Sequence, residues 1–215
     1  MEQDYLLLYK TLFDHYGPQN WWPADTPLEM MIGAILVQNT NWRNVEKALI
    51  KLRPYLGAEA LDRLQEEELA QLIKPSGFFN IKAKRIKSFI QWWKQYNFSL
   101  NRVKKLEKET LRKELLNVHG IGRETADVML LYALDKAVFV VDAYARRIFY
   151  RIGYDMPNSY DQFRLEVEQT FPEKLDVFNE FHALLVEHAK QYCRTRPLCD
   201  KCPLSSICKK RVEGD

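Results

Sequence analysis

The sequence predicts an all-α protein, and three observations support that fold class. Apolar residues recur with the 3.6-residue period of a helix in almost every segment. One short β-like run, residues 137–141, is too isolated to build a sheet, so we expect a buried extended connector there. The composition, 47% hydrophobic and 28% charged over 215 residues, is typical of a globular chain and argues against disorder.

Helices follow one another along almost the whole chain. The segment 27–37 is apolar and opens with Pro27, which is favoured at the first position of a helix. The remaining predicted helices are 44–56, 59–73, 83–96, 106–116, 124–134, 144–152, 160–171 and 177–192. No repeat or Pro/Gly-rich linker separates them, so any two domains are expected to pack closely.

Membrane spans are not expected. The longest apolar stretch, residues 30–37, has eight residues, whereas a bilayer requires about 20. The first four residues carry acids instead of the basic start of a signal peptide. We therefore expect a cytoplasmic protein, associated with the nucleoid if its source is bacterial or archaeal.

Residues 116–127 have the pattern of two helices joined by a tight hairpin. Gly120 and Gly122 permit unusual backbone angles, and a new helix is expected to begin near Arg123. The N–H groups of Gly120, Ile121 and Gly122, with the positive end of that helix, can hold a DNA phosphate. An ordinary helix–turn–helix connection is the alternative.

The net charge of +3 hides two basic regions. Residues 76–113 hold eleven Lys or Arg against two Glu, a net +9, and residues 190–215 hold seven against three acids, a net +4. Beside a hairpin, such a region indicates phosphate binding, although a solvated helix face gives the same count. The phosphate interpretation predicts affinity that falls with salt, and weaker binding when Lys82 or Arg194 is neutralised.

Asp142 follows an apolar run and precedes a helix. Asp is among the best N-cap residues, and a capping carboxylate can still turn one oxygen toward a substrate. The two roles are therefore compatible.

Four cysteines lie within sixteen residues, and their clustering in a reducing compartment favours a metal site over disulfides. Their chemistry fits either a [4Fe–4S] cluster or Zn²⁺. The candidate ligands are Cys193, Cys199, Cys202 and Cys208.

The order of these motifs resembles the endonuclease III superfamily of DNA glycosylases over nearly the whole chain. Segments 32–44 and 77–83 precede the hairpin, and the aspartate and cysteine loop follow it, as in that family. The resemblance implies that Asp142 is the catalytic aspartate and that Gln38 and Phe78 fill the space left by a flipped nucleotide. The implied DNA-binding residues are Gln38, Phe78, Gly120, Ile121, Gly122, Arg123 and Thr125.

Two departures from the family pattern affect chemistry. Five residues separate the first two cysteines where the family usually has six. Glu124 stands where bifunctional members carry the lysine that attacks the sugar, and it is the second candidate catalytic residue. A carboxylate cannot form an imine, so no strand-cleaving lyase step is expected; Glu124 also suits the positive start of a helix.

The aromatic residues near the N-terminus resemble the 3-methyladenine glycosylase branch, in which paired aromatic side chains line the base pocket. The implied pocket residues are Trp21, Trp22, Pro23 and Trp42. A 3-alkylated adenine is cationic, and aromatic faces attract cations by about 0.5–2 kcal/mol. The alternative is that the Trp pair belongs to the hydrophobic core.

The resemblance implies two helical lobes with a DNA groove between them: a six-helix barrel over 25–136, and a lobe of 1–24 with 137–215 that includes a metal loop at 193–208. The expected protein is a monomeric, monofunctional glycosylase that excises alkylated purines from double-stranded DNA. The alternatives are a mismatch uracil or thymine glycosylase, a non-catalytic DNA-binding module, and a Zn-stapled interaction protein.

Overall fold

The computed structural model describes residues 4–21, 24–171 and 174–212. Regular structure within these ranges consists of α-helices and short 3₁₀ turns, with no strand, which confirms the all-α prediction. The helices are α1 (Tyr5–Tyr16), α2 (Pro27–Leu36), α3 (Trp42–Leu52), α4 (Ala58–Arg63), α5 (Glu66–Leu72), α6 (Phe79–Lys94), α7 (Leu100–Lys104), α8 (Lys108–Asn117), α9 (Arg123–Ala133), α10 (Ala143–Ile152), α11 (Tyr160–Glu168) and α12 (Leu175–Gln191). None of these helices is both long and apolar enough to cross a membrane.

The chain forms two compact units, residues 1–21 with 137–215 and residues 22–136. The sequence analysis places the boundaries after residues 24 and 136, and the structure places them after residues 21 and 136. Each unit therefore has its own core, and the candidate site residues are divided between them.

Helix α2 is the centre of the 22–136 unit. Every residue from Glu29 to Leu36 is buried, and α2 packs against α9, α6 and α3. Thr26 caps it by accepting a 3.1 Å hydrogen bond from the Glu29 amide, and Pro27 opens its first turn. A helix that is apolar on all sides belongs in a core, which is where α2 lies.

The predicted helix 59–73 is two helices, α4 and α5. Gln65 starts a new helix because its amide donates to Glu68 Oε2 at 2.9 Å, in a capping box. Periodicity alone misses such a break, since a reciprocal cap satisfies the donors that the break exposes.

The other unit has an aromatic core built around the connector 137–142. Phe139 is fully buried, and its ring stacks on that of Phe163 with 6.2 Å between centroids. Side chains of α11 satisfy the connector's amides: Phe139 N donates to Glu168 Oε1 at 2.9 Å, and Val141 N donates to the Tyr160 hydroxyl at 3.2 Å. The predicted buried connector is confirmed, and it places Asp142 at the start of α10.

Candidate functional site

The hairpin joins α8 to α9 within the 22–136 unit. Gly120 has φ +83°, the left-handed region that favours glycine. The buried Ile121 donates its amide to Val118 O at 3.1 Å, which closes the turn. Gly122 is the N-cap of α9 and makes no side-chain capping bond. The start of α9 thus has the geometry of an anion site.

Arg85 and Gln38 brace this hairpin from α6 and the end of α2. Gln38 Nε2 donates to Gly120 O at 3.0 Å and to Thr125 Oγ1 at 2.9 Å, and Gln38 Oε1 accepts from Arg85. A Cβ on Gly120 would lie 2.1 Å from Arg85 Cγ, so glycine is required for packing as well as for dihedral angle. The structure brings together Gln38, Gly120 and Thr125, and the side-chain amide of Gln38 hydrogen-bonds to the hairpin.

The exposed turn before α6 carries Phe78. Gly77 (φ +69°) and Phe78 (φ +46°) are both left-handed, and the Phe78 side chain is 63% exposed. A left-handed phenylalanine is strained by about 1–3 kcal/mol and persists only where its surroundings hold it. The turn therefore presents an exposed aromatic ring at the start of α6.

Lys82 is the brace for that turn. Its Nζ donates to Ser76 O at 2.6 Å and to Leu36 O at 2.8 Å, which ties the turn to the end of α2. The side chain is 1% exposed. Burial, and secondarily the charge of Arg85, lowers the pKa of Lys82 to about 8. The prediction that Lys82 contacts a phosphate is therefore wrong, because its ammonium faces two buried carbonyls.

Replacing Lys82 by methionine should destabilise the protein by about 2–4 kcal/mol, because two buried carbonyls lose their donor. Thermal or urea unfolding measures this loss. Lys84→Met is the matched control, since Lys84 is exposed on the same helix and should change stability by about 0.5 kcal/mol or less. Equal effects of the two substitutions would contradict the bracing role.

Much of the basic segment is committed inside the protein. Buried Arg112 donates from Nε to Asp127 Oδ1 at 2.6 Å, while Lys87 donates to the carbonyls that end α4. Lys94 and Lys104 form ion pairs with carboxylates. The count of eleven cations therefore overstates the charge that this segment offers to a ligand.

Asp142 lies at the N-cap of α10 in the other unit and is 9% exposed. Its Oδ1 accepts from the Ala145 amide at 2.7 Å. Its Oδ2 lies 3.4 Å from His182 Nε2, and His182 belongs to α12. Asp142 thus caps a helix with one oxygen and turns the other toward a titratable side chain.

His182 was not identifiable from the sequence, because a histidine within an apolar helix has no distinguishing spacing. It is 5% exposed, and its ring centroid lies 5.7 Å from that of Trp21. The imidazole therefore stands between the candidate catalytic carboxylate and a candidate base-pocket residue. Trp22 and Pro23 lie outside the described residues.

Trp42 is half-buried at the start of α3 and covers Gly33, where a Cβ would lie 3.3 Å from Trp42 Cη2. A surface pocket beside it is lined also by Glu29, Glu46 and Arg53. Arg53 pairs with Glu29 at 3.6 Å. Trp42 thus borders an acidic, partly aromatic recess.

Three further candidates occupy the first turn of α9. Arg123 and Glu124 are exposed, whereas Thr125 is 8% exposed and receives the Gln38 bond. Glu124 is the acid of that turn, as its sequence position predicts.

All four cysteines line one pocket of the 1–21 and 137–215 unit, below the C-terminal end of α10. Arg151 of α10 donates to Thr195 O at 3.2 Å, and Arg147 donates to Cys193 O at 2.8 Å, so α10 holds the loop. Burial, and then the neighbouring thiols, raises the pKa of Cys202. The four thiols therefore share the lining of one pocket. Within the described ranges, no three His, Cys, Asp or Glu side chains meet in the geometry of a metal-ion site.

His188 also lines the cysteine pocket. Its Nε2 lies 3.6 Å from Cys202 Sγ, and its Nδ1 lies 3.0 Å from the Tyr16 hydroxyl. Burial, with a smaller contribution from His15, lowers the pKa of His188 to about 4, so this imidazole is neutral.

Comparison with known proteins gives matches over most of the chain. "Putative DNA repair glycosylase MJ1434" of Methanocaldococcus jannaschii is 45% identical over 206 residues, 94% of each chain. Endonuclease III of Thermotoga maritima is 29% identical over 208 residues, 92% of this chain and 91% of the relative.

Two solved structures also superpose on most of this chain. Helicobacter pylori 3-methyladenine DNA glycosylase bound to 1,N6-ethenoadenine superposes with TM-score 0.72 and 29% identity, over 87% of this chain and 96% of that one. An endonuclease III–DNA complex has TM-score 0.82 over 98% and 96% of the two chains; at 20% identity it supports the fold alone.

The family comparison is decisive for classification. The profile described as "HhH-GPD superfamily base excision DNA repair protein" matches residues 32–173, about two thirds of the chain. The matched region includes the hairpin and Asp142. The chain is a DNA glycosylase of the helix-hairpin-helix (HhH-GPD) superfamily of base excision repair proteins.

Proposed function

We propose that this glycosylase is monofunctional and releases alkylated purines such as 3-methyladenine from duplex DNA. The observation that carries the proposal is the buried Asp142 carboxylate, which keeps Oδ2 clear of the helix that Oδ1 caps. The 29% identity to the 3-methyladenine enzyme of H. pylori supports the substrate class. The protein acts as a monomer in this proposal.

The reaction is hydrolysis at C1′ of the deoxyribose. The N-glycosidic bond breaks with its electron pair passing to the base, and a water oxygen bonds to C1′. Asp142 stabilises the oxocarbenium-like sugar and takes the proton that the water loses. An alkylated purine leaves as a neutral base because it starts as a cation, so no general acid is required.

Recognition of the cationic base would fall to aromatic side chains, whose π faces attract a cation. The carboxylates of the recess beside Trp42 are partly neutralised, because Arg53 pairs with Glu29 there. The residues that this proposal assigns to stacking on the flipped base are Trp21, Trp22, Pro23 and Trp42.

Contacts with DNA come from the hairpin and the wedge turn. The amides of Gly120 and Gly122 would hold a backbone phosphate, with the neighbouring first turn of α9, whereas the Ile121 amide donates to Val118 O and would only fix the turn. Arg123 is exposed and would extend this grip, whereas Thr125 is buried and would act through its bond from Gln38. Phe78 would occupy the space vacated by the flipped nucleotide, and Gln38 would have to release its bonds to Gly120 and Thr125 to enter that space.

We expect no lyase step because neither Glu124 nor Lys82 offers an available amine for attack on the sugar. Glu124 cannot form an imine with the sugar. Lys82 has the lowered pKa of a potential nucleophile, yet it is 1% exposed and its Nζ is bonded to two carbonyls. We therefore expect strand cleavage to be absent.

Lesion-panel assays test this proposal. Duplexes containing 3-methyladenine should lose the base, whereas duplexes with thymine glycol, U:G or T:G should lose about 100-fold less at equal enzyme. Borohydride should trap no covalent adduct, because no imine forms. A strong adduct would contradict the monofunctional assignment. Preferential release from U:G or T:G would instead identify the protein as a mismatch-specific uracil or thymine glycosylase.

The cysteine loop would hold a [4Fe–4S] cluster in this proposal, with Zn²⁺ as the alternative. The four thiols of one pocket fit the ligand set of either group, and Cys193, Cys199, Cys202 and Cys208 would be its ligands. When bound, such a cluster cross-links the loop and supplies a redox-active centre. The loop then presents Arg194, Arg196 and Lys201 to the DNA backbone.

Metal analysis separates the two groups. The protein purified without oxygen should contain about four iron atoms per chain and absorb visible light, as a cluster with four thiolate ligands requires. Cys202→Ser should remove iron and lower the melting temperature, because metal binding contributes to folding. One zinc per chain and no visible absorption would contradict the cluster.

A further inference from the structure

The side chain of His182 lies beside the Asp142 carboxylate oxygen that does not cap α10. Its Nε2 lies 3.4 Å from Asp142 Oδ2. The ring is 5% exposed on α12, between Phe181 and Ala183, which are both buried. A buried imidazole on an apolar helix face requires a polar partner, and Asp142 provides one.

An aromatic ring also packs against the imidazole. Trp21 lies at 5.7 Å between ring centroids, with 48° between the planes. A side chain that packing holds in one rotamer can hold the orientation of a group that it contacts, and supporting residues orient catalytic groups in this way. The Ala145 amide already fixes Oδ1 at 2.7 Å, so a second contact on Oδ2 would determine the plane of the carboxylate.

We propose that His182 is a positioning residue for base release: its Nε2–H donates to Asp142 Oδ2 and aims the carboxylate at C1′. This inference rests on the proposed function of Asp142. The contact is longer than an ideal hydrogen bond in the free protein, and catalytic contacts commonly tighten when substrate binds.

Two substitutions separate positioning from packing. His182→Leu keeps apolar volume and removes the donor, whereas His182→Gln places an amide nitrogen near the position of Nε2. On whichever lesion the wild type releases, His182→Leu should lower the single-turnover rate about 100-fold, the effect of a misaimed catalytic group. The dissociation constant for the duplex should stay within about twofold, and His182→Gln should recover at least about tenfold of the lost rate.

Leu185→Ala is the control for destabilisation, because Leu185 is fully buried on the same helix. It should lower the melting temperature without changing the rate well below that temperature. A wild-type rate in His182→Leu overturns the inference, as do equal losses in His182→Leu and His182→Gln. If the wild type releases a different lesion, and His182→Leu and His182→Gln change that rate as predicted, only the alkylpurine assignment is overturned. A wild type inactive on every lesion overturns both.

Discussion

Asp142→Asn should lower the single-turnover rate of base release by about 10³-fold, within the range that general acid–base groups contribute. The amide keeps the shape of the side chain and can still cap α10, because Asn and Asp are equally good N-cap residues. Duplex affinity should therefore be unchanged. Rapid-quench assays with methylated DNA and anisotropy titrations measure the two quantities.

The matched control is Asp4→Asn, the same substitution at the N-cap of α1. Asp4 is exposed, and its Oδ1 accepts from the Leu7 amide at 2.8 Å, as Asp142 Oδ1 does from Ala145. It should leave the rate unchanged. If both variants keep the wild-type rate, Asp142 is only a cap; a wild type that binds the duplex but releases no base would instead indicate a non-catalytic DNA-binding module.

Gly120→Ala should destabilise the protein by about 3 kcal/mol. A left-handed alanine costs about 1–2 kcal/mol, and the new methyl group must also displace the inner side-chain atoms of Arg85. Moving Arg85 breaks its bond to Gln38 and loosens the hairpin. Thermal unfolding should show a loss of roughly 6–12 °C, and duplex affinity should fall about tenfold for damaged and undamaged DNA alike.

Gly122→Ala provides the comparison within the same motif. Gly122 has φ −88°, and a Cβ there would meet nothing within 4 Å. This substitution should cost less than about 1 kcal/mol, since alanine is only a poorer N-cap than glycine. Similar losses of stability in both variants would show that contact with Arg85 is not the reason that position 120 requires glycine.

The fold was largely predictable because burial of apolar residues at helical spacing determines where helices form. The hairpin and the connector 137–142 were predictable for related reasons: glycines mark the turn, and an apolar run without helical length marks buried extended chain. The break between α4 and α5 was not, because it depends on hydrogen bonds between Gln65 and Glu68 that periodicity does not register.

The candidate site was predictable only where one residue type determines the chemistry, as for Asp142 and the cysteines. Contacts between distant positions were not. His182 lies forty positions from Asp142 along the chain, and only the packing of α12 brings it close. Counting charge also misplaced Lys82, since a buried ammonium bonded to carbonyls and a surface ammonium facing DNA have the same sequence signature.

The order in which the two units can fold during synthesis follows from the chain segments that make up each unit. Residues 22–136 are contiguous, so this unit can pack as soon as its last helix has emerged. Residues 1–21 emerge first, yet α1 packs against α12 and must wait for residues 175–191. An interrupted nascent chain would therefore carry the hairpin before it carries a fixed Asp142.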